Sequence, residues 1–138
     1  MKELSFDDIA LIPRVVSSIP SRSDVRIKTS VQFGPIKLRL PIIASPMSDV
    51  ISDTVGRKLR NLGCFGFLHR FQSIESQAEE YQNSSIGCAI GLQEQDRFVE
   101  LYNLGCRYFL IDTANGASTL VRDTLSYYKD KYPDTYIY

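Results

Sequence analysis

The feature that most constrains the fold of this chain is a regular alternation of short apolar runs with helix-like segments. Each run is apolar through its middle, as is typical of a strand buried on both faces. One strand and one helix together take roughly 20–25 residues, a spacing that predicts parallel strands joined by right-handed crossovers. The chain is therefore predicted to be an α/β protein. The five predicted strands are residues 40–47, 63–70, 85–92, 106–113 and 135–138.

Four helices are predicted between these strands, at residues 52–62, 74–82, 94–104 and 118–132. Ser52 or Asp53 can cap the first helix and Ser73 opens the second. Pro133 follows the last helix, which could not easily continue through a proline.

The tetrapeptide Asn-Leu-Gly-Cys occurs twice, at residues 61–64 and 103–106. Each copy closes a predicted helix and opens a predicted strand. Glycine just past a helix end adopts the left-handed conformation at low steric cost, so both copies support the alternation.

The 138 residues are predicted to form one domain of two parts. Residues 1–39 lack the strand–helix alternation, and we interpret them as an arm, a lid or a hairpin. Residues 40–138 contain four strand–helix units and the start of the next strand.

Composition excludes several classes of function. Sixteen basic residues balance sixteen acidic ones, which disfavours binding to nucleic acid or to an anionic membrane. No apolar run approaches the roughly 20 residues that span a bilayer. The three cysteines form no Cys-x-x-Cys motif and lie in apolar runs, as expected of buried thiols in the cytosol. With one histidine, no metal site is predicted.

Polar and small residues gather where the predicted strands end. The carboxyl ends of parallel strands hold the ligand site in barrels and in open α/β sheets, so these residues are candidates for a binding site. Each also has a simpler interpretation as a helix cap, a turn residue, core filler or a solvated charge. The candidates are Ser45, Met47, His69, Arg70, Asp112, Thr113, Ala114 and Gly116.

Five segments together resemble the IMP dehydrogenase/GMP reductase family in order and spacing. This resemblance runs along essentially the whole chain and implies a (β/α)8 barrel of the TIM type, with about half of the barrel present. It also implies NAD(P)-linked redox chemistry at the purine C2 position of a nucleoside monophosphate. The segments are LSFDDIALIPR, SRSDV, LPIIASPMSDV, GFLHRFQS and IDTANGAS.

The resemblance also implies roles for individual residues. Ser45 and Met47 match residues that line the purine pocket, and Ser21 and Arg22 match an arm that reaches NADP. The remaining matches place His69, Arg70, Asp112, Thr113, Ala114 and Gly116 near the nicotinamide cofactor. A carboxylate can accept ribose hydroxyls and an arginine can hold a phosphate.

Within the family, two features favour GMP reductase, which would reduce GMP to IMP and ammonia with NADPH. The segment HRFQSIESQAEEYQNSSIG leaves no room for the regulatory insertion of IMP dehydrogenases, and the segments SRSDV and DTANG look more like the reductase. Ser-Pro-Met at residues 45–47 instead resembles the NAD-dependent dehydrogenase, which converts IMP to XMP. The alternative is therefore kept.

The family's catalytic cysteine and phosphate-binding glycine loops match no residue of this chain, so residues 1–138 alone are expected to be inactive. Half a barrel would have two open sheet edges and an uncovered inner face. We therefore expect a piece of a longer polypeptide, half of a split enzyme that assembles with a partner, or a truncated product that has lost catalysis. A non-enzymatic alternative is a module that joins oligomers of a complete homologue or retains nucleotide. The rest of the barrel and copies in a homotetramer are the expected partners.

An unrelated doubly wound domain is a further alternative, which strand order can exclude.

Overall fold

The computed structural model of this chain describes residues 6–12, 15–16, 18–24 and 29–138. A β-hairpin precedes the strand–helix units and consists of β1 (Val31–Phe33) and β2 (Ile36–Leu38). The units then run β3 (Ile43–Ala44), α1 (Asp53–Asn61), β4 (Phe65–Leu68), α2 (Ile74–Ser84), β5 (Gly87–Ile90), α3 (Gln95–Asn103), β6 (Tyr108–Ile111), α4 (Thr119–Lys131) and β7 (Tyr136–Ile137). Short 3-10 turns occupy Phe6–Asp8 and Arg22–Asp24.

The five strands β3 to β7 form one parallel sheet whose spatial order is the order of the sequence. Sequential order is that of a barrel segment, whereas a doubly wound sheet reverses direction at a switch point. The predicted α/β fold with part of a (β/α) barrel is therefore confirmed, and the doubly wound alternative is wrong.

Capping residues fix the helix starts as predicted. The hydroxyl groups of Ser52, Ser73 and Ser118 each accept a hydrogen bond from the backbone N–H three residues later. Both Asn-Leu-Gly-Cys copies work as expected, because Gly63 and Gly105 have φ of 74° and 98° just past α1 and α3.

Most elements are one or two residues shorter at each end than predicted, and two further differences have a local cause. The run at residues 40–47 supplies only the two-residue strand β3, because Pro41 and Pro46 cannot donate to the ladder on either side. Helix α2 extends past residue 82 to Ser84 and ends with Ser85 in the left-handed conformation, a position that usually favours glycine.

One face of the sheet is closed by the helices. Phe98, Leu101 and Phe109 are fully buried there, and the Phe98 ring lies 4.1 Å from the ring of Tyr128, centre to centre. The rest of this buried cluster is Ile51, Leu68, Ala78, Ile86, Cys88, Ile90, Cys106 and Ile111. Within the described residues, no helix is long and apolar enough to cross a membrane.

The opposite face, which would line the barrel interior, is partly covered by the hairpin. Phe33 packs on Phe65 and Phe67 of β4 and stacks on Tyr138 with a centroid distance of 4.3 Å. The Arg39 N–H donates to the Gly63 carbonyl just before β4, so the hairpin lies at the amino ends of the strands. The inner face, which we expected to be uncovered, is therefore partly covered, and residues 31–38 of the predicted arm form a hairpin.

Candidate functional site

The carboxyl ends of β4, β5 and β6 bring together side chains that are distant in the sequence. Arg70 Nε donates a hydrogen bond of 3.2 Å to Asp112 Oδ2 across 42 residues. The two side chains are 27% and 30% exposed, so a ligand could reach both. Asp112 is placed by the strand ladder itself, since its backbone N–H donates to the Ile90 carbonyl.

Glu94 is a third charged residue of this edge. Its Oε2 accepts a 2.6 Å hydrogen bond from the Gly91 N–H, and its Oε1 lies 4.0 Å from Arg70 Nη1. Glu94 precedes α3 at the cap position without capping the helix through its side chain. The carboxylate instead turns back toward the end of β5.

Two buried polar residues support Glu94 from the helix side. Arg97 Nε lies 3.3 Å from Glu94 Oε2, and Arg97 Nη1 donates to Gln77 Oε1 at 2.7 Å. The Gln77 amide donates to the Leu68 and Ala89 carbonyls of two neighbouring strands. We call Arg70, Asp112, Glu94, Arg97 and Gln77 the rim cluster.

His69 lies beside this cluster and is 9% exposed. Its carbonyl accepts from Gln72 Nε2 at 3.1 Å, whereas its ring Nδ1 is buried and has no hydrogen-bond partner among the described residues. A buried polar atom without a partner is uncommon, but this nitrogen has almost no accessible surface, so a ligand could not reach it in this conformation.

Ser45 and Met47 follow β3, the strand next to β4. The Met47 N–H donates to the Ser45 carbonyl at 2.9 Å, which turns the chain sharply, and both residues are exposed. They lie at the same edge as Arg70, because Ala44 pairs with Gly66 in a parallel ladder.

The remaining predicted residues are dispersed. Ser21 hydrogen-bonds within its own turn, through Ser23 Oγ at 2.9 Å and the Asp24 N–H. Arg22 belongs to that turn, but its side chain lies outside the described residues.

The loop after β6 contains the last three predicted residues. Thr113 is half-buried, whereas Ala114 and Gly116 are exposed. A side chain at Gly116 would meet no atom within 4 Å, so packing does not require glycine there. Gly116 instead borders an open groove of about 580 Å³ between α4 and Ile137.

Sequence reasoning missed Glu94, Arg97 and Gln77. A glutamate at a helix cap was the available signal, since serine, threonine, aspartate and asparagine are the usual caps.

Other chemistry finds little support among the described residues. They contain no group of three histidine, cysteine or acidic residues that could hold a metal ion. All three cysteines are buried and free, and burial raises the pKa of the Cys88 thiol well above its usual value. A buried, protonated thiol is a poor nucleophile.

Comparison with known proteins adds an independent result. A sequence model of the IMP dehydrogenase / GMP reductase domain matches residues 3–138. The GMP reductase of Lactobacillus delbrueckii subsp. bulgaricus is 32% identical over 99% of this chain, and that of Lactobacillus acidophilus is also 32% identical over 99%. The GMP reductase of Streptococcus pyogenes is 30% identical over 96%.

The chain spans less than half the length of these relatives, covering 43%, 43% and 41% of them. Its parallel sheet in sequential order, with polar groups at the carboxyl edge, agrees with the matched domain. This chain belongs to the IMP dehydrogenase/GMP reductase family.

Proposed function

We propose that this chain is the amino-terminal part of a purine nucleotide oxidoreductase that reduces GMP to IMP and ammonia with NADPH. The observation that carries the proposal is the pairing of Arg70 with Asp112 at the carboxyl edge of a parallel sheet, in a chain whose relatives are GMP reductases. In this proposal residues 40–138 are the first four β/α units of a barrel, and residues 1–39 are its arm.

The residues at the edge fit a nicotinamide dinucleotide. Within the described residues, Asp112 Oδ1 accepts no hydrogen bond, so it could bind a polar group of a ligand. His69, next to Arg70 in the chain, would lie beside the cofactor with its ring buried. NADPH, when bound, would supply the hydride. Asp112 and Arg70 would orient the ribose nearest the nicotinamide, with Thr113, Ala114 and Gly116 beside it.

The other predicted binding residues have separate roles in this proposal. Ser45 and Met47 would line the purine pocket of the nucleoside monophosphate, where their exposure permits contact. Ser21 and Arg22 would belong to an arm that reaches NADP, across a subunit boundary in a homotetramer. The buried free cysteines are consistent with a cytosolic location.

Catalysis would need residues beyond these 138. Cys64, Cys88 and Cys106 are 4%, 0% and 0% exposed, and therefore none is suited to attack a purine. We propose that the rest of the barrel, in the same polypeptide or in a second chain, supplies the nucleophile. The open edge of β7, where Tyr136 and Tyr138 are 40% and 37% exposed, is the natural place for it to dock.

Two assays test this proposal. The 138-residue chain alone should show no GMP-dependent oxidation of NADPH at 340 nm. A chimera in which residues 1–138 replace the matching segment of the L. delbrueckii enzyme should show such oxidation, and Asp112→Ala should lower its kcat/KM about 100-fold.

Asp123→Ala is the matched control in the chimera, because Asp123 is an exposed carboxylate on α4 paired only with Arg122. Its kcat/KM should stay unchanged. Turnover by the chain alone, or a folded chimera without activity, would contradict the proposal.

A second candidate is the IMP dehydrogenase reaction with NAD, which is favoured by one observation. Residues 45–47 are Ser-Pro-Met, the dehydrogenase-like sequence, and Pro46 shapes the exposed turn that carries Ser45 and Met47. Assaying the same chimera for IMP-dependent reduction of NAD separates the two reactions.

A non-catalytic role is the remaining alternative, in which the chain joins oligomers of a complete homologue or retains nucleotide. Its support is the open β7 edge described above. Size-exclusion mass measurement with and without a full-length relative discriminates, since a chain that ignores both partner and nucleotide excludes this role.

A further inference from the structure

The rim cluster contains one carboxylate that neither the sequence motifs nor the proposed reaction accounts for. We propose that Glu94 positions Arg70 and, as a second carboxylate beside that guanidinium, makes the Arg70–Asp112 pair select against phosphate. This inference rests on the proposed function for the identity of the ligand. The role of Glu94 does not depend on it.

The first argument is the charge around Arg70. Its guanidinium faces Asp112 at 3.2 Å and Glu94 at 4.0 Å, two carboxylates for one cation. Arg97, at 3.3 Å from Glu94, brings the net charge of the four side chains to zero. A phosphate that approached Arg70 would meet both carboxylates, and like charges brought this close strongly disfavour binding.

The second argument is that Glu94 cannot easily move away. Its Oε2 accepts from the Gly91 N–H at 2.6 Å and faces Arg97, which is 8% exposed. Arg97 is itself held by the fully buried Gln77, whose amide bridges two strands. The carboxylate is therefore fixed to the sheet by its hydrogen bond from Gly91 and by its ion pair with Arg97, whose own hydrogen bond to Gln77 is buried.

The third argument is the absence of a side chain at Gly91. A Cβ there would lie 3.3 Å from the Glu94 carboxyl carbon and 3.4 Å from Arg70 Nη1, closer than most Cβ contacts. Glycine thus allows the strand end, the carboxylate and the guanidinium to come together. A larger residue would separate Glu94 from Arg70.

The groups left open on the pair match a diol. Arg70 uses Nε for Asp112, and its guanidinium lies 4.6 Å from the centre of the Phe71 ring. Within the described residues its terminal nitrogens donate no hydrogen bond, and Nη1 lies 4.0 Å from Glu94 Oε1. Asp112 keeps Oδ1 as an acceptor. One hydroxyl of a vicinal diol can donate to that oxygen while the other accepts from the guanidinium.

The first test needs no ligand. In ¹H–¹⁵N NMR spectra of the chain, Glu94→Gln should shift the Gly91 amide, the Arg70 Nε–H and the Asp112 amide resonances. Glu100→Gln, an exposed residue of the same helix, should leave all three in place. Unchanged Arg70 and Asp112 resonances in the Glu94→Gln variant would overturn the positioning role.

The second test compares NADPH with NADH by fluorescence titration of the chain. Arg70→Gln should weaken the binding of NADPH and of NADH by about tenfold each. The ratio of the two affinities should stay within about twofold, because the lost contact is to a part of the dinucleotide that both cofactors share. Arg122→Gln, an exposed arginine beside Asp123, should change neither affinity. A loss confined to NADPH would show that Arg70 binds the additional phosphate and would overturn the proposal.

A third measurement separates positioning from simple structural support. Glu94→Gln removes one carboxylate from beside Arg70, so inorganic phosphate should bind about threefold more tightly than to the original chain. Equal or weaker phosphate binding would contradict the proposed charge compensation. If the original chain bound neither dinucleotide, the proposed function and the ligand class would fail, while the ligand-free spectra would still decide the role of Glu94.

Discussion

The two faces of the five-stranded sheet are closed in different ways. On the helix side, side chains from β4 to β6 and from the helices are almost completely removed from water, as Leu68, Phe98 and Phe109 show. On the inner side, the hairpin covers Phe65 and Phe67, but Tyr136 and Tyr138 near the last strand stay 40% and 37% exposed. The helix side is thus closed over β4 to β6, whereas the inner side depends on what else covers it.

The largest expected effect tests the helix side. Phe98→Ala removes a fully buried ring that contacts Phe109, Tyr128 and Tyr132. It should lower the free energy of unfolding by about 4 kcal/mol, because the cavity adds to the lost burial. Urea denaturation followed by circular dichroism measures this.

Val99→Ala is the control on the same helix, since Val99 is 36% exposed. Val99→Ala should lower the free energy of unfolding by less than about 1 kcal/mol. Similar losses for the two variants would mean that the helix side is not the principal core.

A second prediction concerns the polar support beneath the edge. Gln77→Leu leaves the Leu68 and Ala89 carbonyls and Arg97 Nη1 without the amide they now contact. The unfolding free energy should fall by about 2–3 kcal/mol, because buried polar groups lose their partners. Gln82→Leu, at an exposed position of the same helix, should have little effect. An unchanged free energy of unfolding in the Gln77→Leu variant would mean that the hydrogen bonds of the Gln77 amide do not stabilise the fold.

The inner face should be less sensitive to truncation. Phe33→Ala removes the ring stacked on Tyr138, but Phe33 is only partly buried. We expect the free energy of unfolding to fall by about 1–2 kcal/mol, clearly less than for Phe98→Ala. Lys37→Ala, an exposed residue of the same hairpin, is the control. A loss equal to that of Phe98→Ala would end the distinction between the two faces.

The contrast also explains which parts of the fold the sequence could predict. Period and capping are local signals, so the helices, the two glycine caps and the alternation of strands with helices follow directly from residues such as Ser52, Gly63 and Gly105. The order of the strands in the sheet does not follow from such signals. Cover of the inner face is not local. The pattern of residues 31–38 indicates short strands but not that Phe33 turns onto β4.

The candidate site likewise has one part that the sequence could predict and one part that it could not. Parallel strands place Arg70 and Asp112 at one edge, and the sequence could predict that much. Their direct hydrogen bond depends on the conformation of two side chains 42 residues apart, which no pattern specifies. Glu94 resembled an ordinary helix start, because its contact with the Gly91 N–H depends on the shape of the turn.

The smallest expected effect concerns Tyr128, another residue that is buried on the helix side of the sheet. Tyr128 is 1% exposed, and within the described residues its hydroxyl has no hydrogen-bond partner. Tyr128→Phe removes an unpaired buried polar group and keeps the ring, so the unfolding free energy should stay equal or rise by up to about 1 kcal/mol.

The pH dependence of this variant tests the burial itself. Burial raises the pKa of Tyr128 to about 12, above the value of 10.0 expected in the unfolded chain. The folded state then favours the neutral phenol, and this contribution to stability is full below about pH 10 and disappears as the pH rises through about 12. Tyr128→Phe lacks this titration, so its advantage over the original chain should widen between about pH 8 and about pH 11 in urea denaturation. A constant difference across that range would mean that the phenol ionises as readily in the folded chain as in the unfolded one, and that the helix side is less closed than its buried side chains indicate.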